Sequence, residues 1–257
     1  MGAAVCRSVI LSAVLVLAGC STLVPVPPTV TAPTPAAAES AWARVLATYV
    51  NAQGYVDFRA LARAPTDLET YVTWLAITDA AAWPDPHARL AHYVNSYNAL
   101  SMFGVIAGGL PQTHAGLRKI RFFYLTKFTI GRRRMSLYSY ENDIIRPLGD
   151  PRVHFALNCS AVSCPTLPRT PFSAQGIDKE LDAEARKFMA DVRHVRVDDH
   201  ERKVYLSAIL KFYTEDFVPT HAATLSAYVN RYRDTPVPLD YPVKFMPYDW
   251  TIAATRP

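Results

Sequence analysis

The segment from His87 to Ala107 constrains the fold more than any other. At helical spacing Leu90, Tyr93, Val94, Tyr97 and Ser101 share one face, His92, Asn95 and Met102 lie roughly opposite, and Asn98 falls at the boundary. Ala99 and Phe103 add apolar surface elsewhere, so no side of the helix suits water. Such a helix belongs at the centre of a domain, wrapped by other elements. Its His92, Asn95 and Asn98 then need hydrogen-bond partners inside the protein, since buried polar groups left unpaired are costly.

Elsewhere the hydrophobic period predicts helices at about 39–50, 66–78, 87–107, 136–148, 174–190, 207–217 and 221–233. Strand-like runs fall at about 126–130, 152–158, 192–198, 203–206 and 242–246, with turns at Gly131 and across DDHERK (198–203). The expected fold class is α+β: a helix-rich single domain around a small, mostly antiparallel sheet. In 136–148, Leu137, Tyr140, Ile144, Ile145 and Leu148 form a stripe with Glu141 in its middle. A carboxylate placed there is either paired, with Arg146 or Arg152, or recruited to a site.

The N-terminus bears on location. Met1 to Gly19 carries Arg7 and then the apolar run VILSAVLVLAG, too short to span a bilayer as a helix. It ends Leu17-Ala18-Gly19-Cys20, the spacing of a bacterial lipobox, so residues 1–19 are expected to leave as a signal peptide and Cys20 to carry lipid. Each buried methylene of that lipid contributes about 0.8 kcal/mol of membrane attachment. Residues 20–38, rich in proline and without charge, are expected to be a stiff tether, followed by a globular domain over 39–257. Ser21 after the lipidated cysteine favours the outer membrane, with the domain facing the periplasm. The net charge of +5 is moderate, and a periplasmic address excludes nucleic acid as a partner. The partners to expect are the membrane, through Cys20, and a cell-wall or anionic envelope component. Between Gly116 and Tyr140 there are no acids but several bases: Arg118, Lys119, Arg121, Lys127, Arg132, Arg133 and Arg134. That stretch reads as an anionic-ligand face or as a solvated hairpin surface.

Of the four cysteines, Cys6 leaves with the signal and Cys20 is consumed by lipid, so the domain keeps Cys159 and Cys164. They lie in VHFALNCSAVSCP (153–165), and three readings stay open. An oxidising compartment favours a Cys159–Cys164 disulfide, worth about 2–3 kcal/mol through its small loop. Alternatively Cys159 is a nucleophile with His154 as base, or His92 in its place, and Glu141, Asn95 or Asn98 orients the imidazole. A strand over 152–158 would turn His154 and Cys159 to opposite faces, so this pairing requires the chain to leave the pleat. The third reading, His154-x4-Cys159-x4-Cys164 as metal ligands, has three donors at loose spacing, and no metal or other cofactor is expected. The chain has no glycine-rich phosphate loop, HExxH or GxSxG.

Several of these stretches occur together in a recognisable order. They are YVNSYNAL (93–100), Ser136-Leu137 with Glu141 and Ile145-Arg146, HFALNC (154–159), Ser163-Cys164-Pro165, FYTEDF (212–217) and Tyr248-Asp249-Trp250. Together they resemble the family catalogued as domain of unknown function 547, over about residues 55–252. Tyr93 and Phe212 stand where that family usually has tryptophan, and Ala253 where it has asparagine. The resemblance implies a shared domain, related by analogy to papain-like or transglutaminase-like thiol enzymes, without an established activity. The functional expectation is an outer-membrane lipoprotein acting as a cysteine-dependent amide hydrolase or acyltransferase on a peptide-like or cell-wall substrate. The alternative is a non-catalytic envelope binding or scaffold domain stapled at Cys159–Cys164.

Overall fold

A computed structural model describes residues 21–29 and 31–255. The expected signal peptide and Cys20 lie outside the described residues. Ahead of the first helix, β1 (Thr22–Leu23) is followed by a cap at Thr34, whose side chain accepts from Ala37 N–H, and by Pro35 at the first helical position. That pairing of cap and proline starts α1 (Pro35–Tyr49), the short α2 (Phe58–Arg63) follows, and α3 (Thr66–Ile77) packs on α1 through Trp42 stacked on Tyr71 at 5.4 Å. α4 (Pro86–Ala107) is then capped by Asp85, again with proline at its start. Every residue of α4 from Leu90 to Val105 is buried, as its all-round pattern requires. No helix among the described residues is long and apolar enough to cross a membrane.

After α4 come α5 (Leu117–Ile120), a π-type turn over Arg121–Leu125, and the hairpin of β2 (Thr126–Ile130) and β3 (Arg133–Met135). Gly131 and Arg132 both take positive φ, the two-residue turn that suits strand twist, and their N–H groups dock on Leu75 and Ala76 carbonyls at the end of α3. α6 (Leu137–Tyr140) runs into a second π-type turn over Glu141–Ile145 and a 3-10 turn over Arg146–Leu148, so the expected helix at 136–148 is helical throughout but widened in its middle. The C-terminal third holds α7 (Ile177–Ala190), β4 (Val195–Asp198), β5 (Lys203–Leu206), α8 (Ala208–Phe212), α9 (Thr214–Phe217), α10 (Leu225–Asn230) and β6 (Val243–Phe245).

The α+β class holds, with two differences. Instead of one mostly antiparallel sheet there are two three-stranded mixed sheets, β1-β2-β3 and β4-β5-β6, each with one parallel and one antiparallel pair. The expected strand at 152–158 is a 3-10 helix over Pro151–Phe155 that leads into an irregular loop. Asp150 caps it by accepting from Arg152 N–H and Pro151 fixes its first φ, which together outweigh the strand-like apolar composition of VHFAL. Within residues 20–38, several described residues pack on the domain. Thr22 and Leu23 pair with Thr126 and Lys127, Val24 is buried in the core, and α1 begins inside the segment.

Two large apolar clusters form most of the interior, and a small third one gathers Cys159, Ala161 and Cys164. One joins α1, α3, α4 and β2, and the other joins α7 to β4, β5 and the helices after them. The 3-10 segment and the two residues after it bridge the two large clusters, with Val153, Ala156 and Leu157 in the first and Phe155 in the second. Asn98 of α4 ties this bridge down: its Nδ2 donates to Ala156 O at 3.0 Å, and its Oδ1 accepts from Asn158 N–H at 2.7 Å. Replacing Asn98 with leucine orphans two buried backbone groups, and is expected to cost about 2–4 kcal/mol in urea denaturation. A loss below about 1 kcal/mol would show that water can reach those groups.

Candidate functional site

The loop after the bridging segment is built by Asn158. Its Nδ2 donates to Pro165 O at 2.6 Å and its Oδ1 accepts from Ser160 N–H at 2.7 Å, which closes the loop over residues 159–164. Ser160 takes a left-handed φ of 65° and its hydroxyl lies 3.0 Å from that of Ser101 on α4. The chain's last stretch then clamps the loop from outside. Val162 N–H bonds to Thr251 O, Ala253 N–H to Ser160 O, and His114 N–H to Trp250 O on the other side of the same stretch. It also brings in Tyr248.

Cys159 and Cys164 are both free and buried in this loop, so the expected disulfide is not formed. The Cys159 N–H donates to Cys164 Sγ at 3.1 Å, and both sulfurs meet the Tyr248 hydroxyl, Cys164 at 3.1 Å and Cys159 at 3.4 Å. The two thiols diverge in acidity. Burial pushes the Cys164 thiol up, but hydrogen bonds from the Cys159 thiol, the Tyr248 hydroxyl and backbone at Ala161 and Cys159 outweigh it, and the result is a lowered pKa. The Cys159 thiol goes well up, because of its hydrogen bond to Cys164 and its burial. Burial beside both thiols also holds the Tyr248 hydroxyl protonated.

These sulfurs lie on one wall of a cleft of about 430 Å³ that Glu141, His154, Tyr97, Tyr213 and Arg146 also line. His154 stacks on Tyr213 at 3.9 Å, places Nε2 2.7 Å from Asp216 Oδ2, and turns Nδ1 to Glu141 Oε1 at 4.0 Å. Glu141 has no arginine partner among the described residues. Arg146 forks onto Asp216 and also meets Glu215, while Arg152 goes to Asp150, Asp178 and Asp182. The buried Glu141 carboxylate instead accepts from Tyr97 O–H at 3.0 Å. The carboxylate thus pairs with neither Arg146 nor Arg152, and it lines the cleft. Burial works to raise the Asp216 pKa, but hydrogen bonds from His154 and Arg146 hold it well below the usual carboxylate range. Both π-type turns border the cleft: Phe123 and Tyr124 come from one, Glu141 and Asn142 from the other.

Cys159, Cys164, His154 and Glu141 therefore share one cleft, and the irregular loop removes the pleat that would have separated His154 from Cys159. Asn98 and Asn95 act elsewhere. Asn98 braces backbone, and Asn95 accepts from Trp42 Nε1 and joins both backbone groups of Phe172. His92 lies among Trp74, Trp83 and Tyr93, away from the thiols. The basic residues are dispersed. Lys119 sits over Trp250 at the cleft, Arg118 and Arg121 border a separate cavity beside β1, and Arg132, Arg133 and Arg134 lie at the hairpin. No cluster of three or more His, Cys, Asp or Glu suited to a metal occurs among the described residues.

Asp216, Tyr248, Tyr97 and Tyr213 carry much of this geometry and received no role from sequence. The only signal was that each lies in one of the motif stretches, FYTEDF, YDW and YVNSYNAL.

Residues 81–189 match the family described as "Protein of unknown function, DUF547", which supports the domain family that the motifs resemble. The matched region includes both cysteines, His154 and Glu141, and stops before Asp216 and Tyr248. No curated protein and no solved structure matches the chain.

The acid side of the pH profile follows from the histidines. Burial lowers His92, His114 and His194 each from 6.5 to about 4, so the unfolded chain binds more protons than the folded one below pH 6.5. Stability is therefore present above pH 6.5 and is lost as pH falls toward 4. Asp216, with its depressed pKa, adds a further loss as pH falls below the ordinary carboxylate range. Urea midpoints measured from pH 7.5 to 4 should decline, and His92→Phe should flatten the slope. An unchanged slope would mean that His92 is reached by water.

Proposed function

We propose that the chain is an outer-membrane lipoprotein, anchored through Cys20 and facing the periplasm, whose domain carries thiol-dependent acyl-transfer chemistry. The observation that carries the catalytic part is the pair of free thiols on one Tyr248 hydroxyl, in a cleft also lined by His154, which sits between two carboxylates. In this reading the thiolate forms at Cys164, stabilised by donors from Cys159 and Tyr248, and Cys159 is its hydrogen-bond partner rather than the attacking atom. The sulfur attacks an acyl carbonyl carbon of a peptide-like or cell-wall amide. The C–N bond breaks, the amine leaves with a proton supplied through His154, and a thioester remains. Water then hydrolyses the thioester, or an acceptor amine takes the acyl group, and the thiolate is regenerated. Glu141 and Asp216 orient the imidazole.

One observation favours a second reading, a binding cleft without chemistry. Neither thiol makes a hydrogen bond to His154 among the described residues, and Tyr124 and Tyr138 stack at 4.4 Å on the cleft's border as an open aromatic surface.

The two readings separate in a labelling experiment on the reduced protein with an acylating electrophile. The enzyme reading expects labelling at Cys164 faster than at a free cysteine, loss of it in Cys164→Ser, and slowing of about 100-fold in His154→Ala. It also expects Tyr248→Phe, which removes a donor from the sulfur, to shift the rate profile to higher pH. Labelling no faster than that of free cysteine, and indifferent to His154, would leave the binding reading.

A further inference from the structure

The chain enters the fold at once. Thr22 pairs with Thr126, Leu23 with Lys127, and Val24 N–H bonds to Lys127 O at 2.8 Å. If Cys20 carries lipid, only Ser21 separates it from the first paired residue. Extended chain covers at most about 3.6 Å per residue, so β1 would be held within roughly 7 Å of the lipidated cysteine. The domain then cannot hang free of the bilayer, and the surface around β1 faces the headgroups.

That surface has the chemistry for such a neighbour. Beside β1 lies a cavity of about 120 Å³ bordered by Thr22, Val24, His114, Arg118 and Arg121. Neither arginine has an ion-pair partner among the described residues. His114 is buried, and its Nε2 has no hydrogen-bond partner. Residues 115–121 are exposed throughout, including Leu117 at 84% and Ile120 at 46%. Two free guanidinium groups, an unpartnered ring nitrogen and two protruding aliphatic side chains thus surround the point where the chain leaves the fold toward Cys20.

We propose that this face docks on an anionic phospholipid bilayer, with Arg118 and Arg121 taking a headgroup phosphate and Leu117 and Ile120 entering the acyl boundary. The inference rests on the lipid-anchor reading for its geometry and is independent of the thiol chemistry. Guanidinium groups fork onto phosphate oxygens, and no acid between Gly116 and Tyr140 repels the headgroups. Docking would set the orientation of the domain, and because Lys119 on the same short helix borders the thiol cleft, the cleft would open close to the membrane surface.

Intact mass of the processed protein first tests the anchor by itself. The lipidated protein is then placed in vesicles of phosphatidylcholine alone, or of phosphatidylcholine with phosphatidylglycerol, and hydrogen exchange is followed over residues 22–24 and 115–122. Exchange in that region should slow only with phosphatidylglycerol, by about fivefold for each arginine engaged. Arg118→Gln with Arg121→Gln should remove the protection, and Arg202→Gln, a distant surface change, should keep it. Equal exchange in both vesicles overturns the proposal. So does equal protection by glycerol phosphate in detergent, which would mark a soluble-anion site. If the mass shows no lipid, the anchor reading falls, and sedimentation of the unlipidated chain with the same vesicles decides the docking face: selective binding lost in the double variant supports it, and no binding overturns it.

Discussion

The structure depends on how one buried helix satisfies its polar side chains. α4 has no solvent face, so Asn95, Ser96, Tyr97, Asn98 and Ser101 each need an interior partner. Each finds one on another segment of the chain. Asn95 takes Phe172 and Trp42, Ser96 meets Tyr140, Tyr97 donates to Glu141, Asn98 holds Ala156 and Asn158, and Ser101 meets Ser160. An apolar helix could slide or rotate against its neighbours at little penalty. This one is keyed in register to four stretches of the chain, and two of them, 140–141 and 156–160, border the cleft.

What could be read from sequence divides along the same line. The helices at 39–50, 66–78 and 87–107 were legible because a burial pattern repeats along each of them, and so was the hairpin at Gly131. The segment 152–158 misled because VHFAL is short, apolar and partly β-branched, and an Asp-Pro start decided its conformation instead. The pairing of Thr22 and Leu23 with β2 was hidden in a proline-rich stretch, where a two-residue strand leaves no period to detect. Cys159, Cys164, His154 and Glu141 were legible as residue types out of place. Asp216 and Tyr248 were not, because their role comes from long-range placement: Asp216 lies 62 residues from His154, and Tyr248 lies 84 from Cys164.

Local hydrogen bonding makes the two thiols of the pair unequal. Cys159 is nearer the bridging segment, and within the nucleophile reading it was the candidate attacking thiol. The loop folds so that the Cys159 N–H and the Tyr248 hydroxyl both reach Cys164 Sγ, and its thiol is the more acidic of the two. Each of the two thiols has the Tyr248 hydroxyl as a hydrogen-bond partner in the reduced form.

The bridge over Val153–Leu157 has a consequence for how the molecule comes apart. It contributes side chains to both apolar clusters, and the cleft runs along the seam between them, with Tyr97 and Glu141 from one side and Ile209 and Tyr213 from the other. A molecule bound in the cleft would therefore touch both halves and be lost if either opened. Its binding energy would act as coupling between two cooperative units, so that a melt with two overlapping transitions would merge into one as the cleft fills.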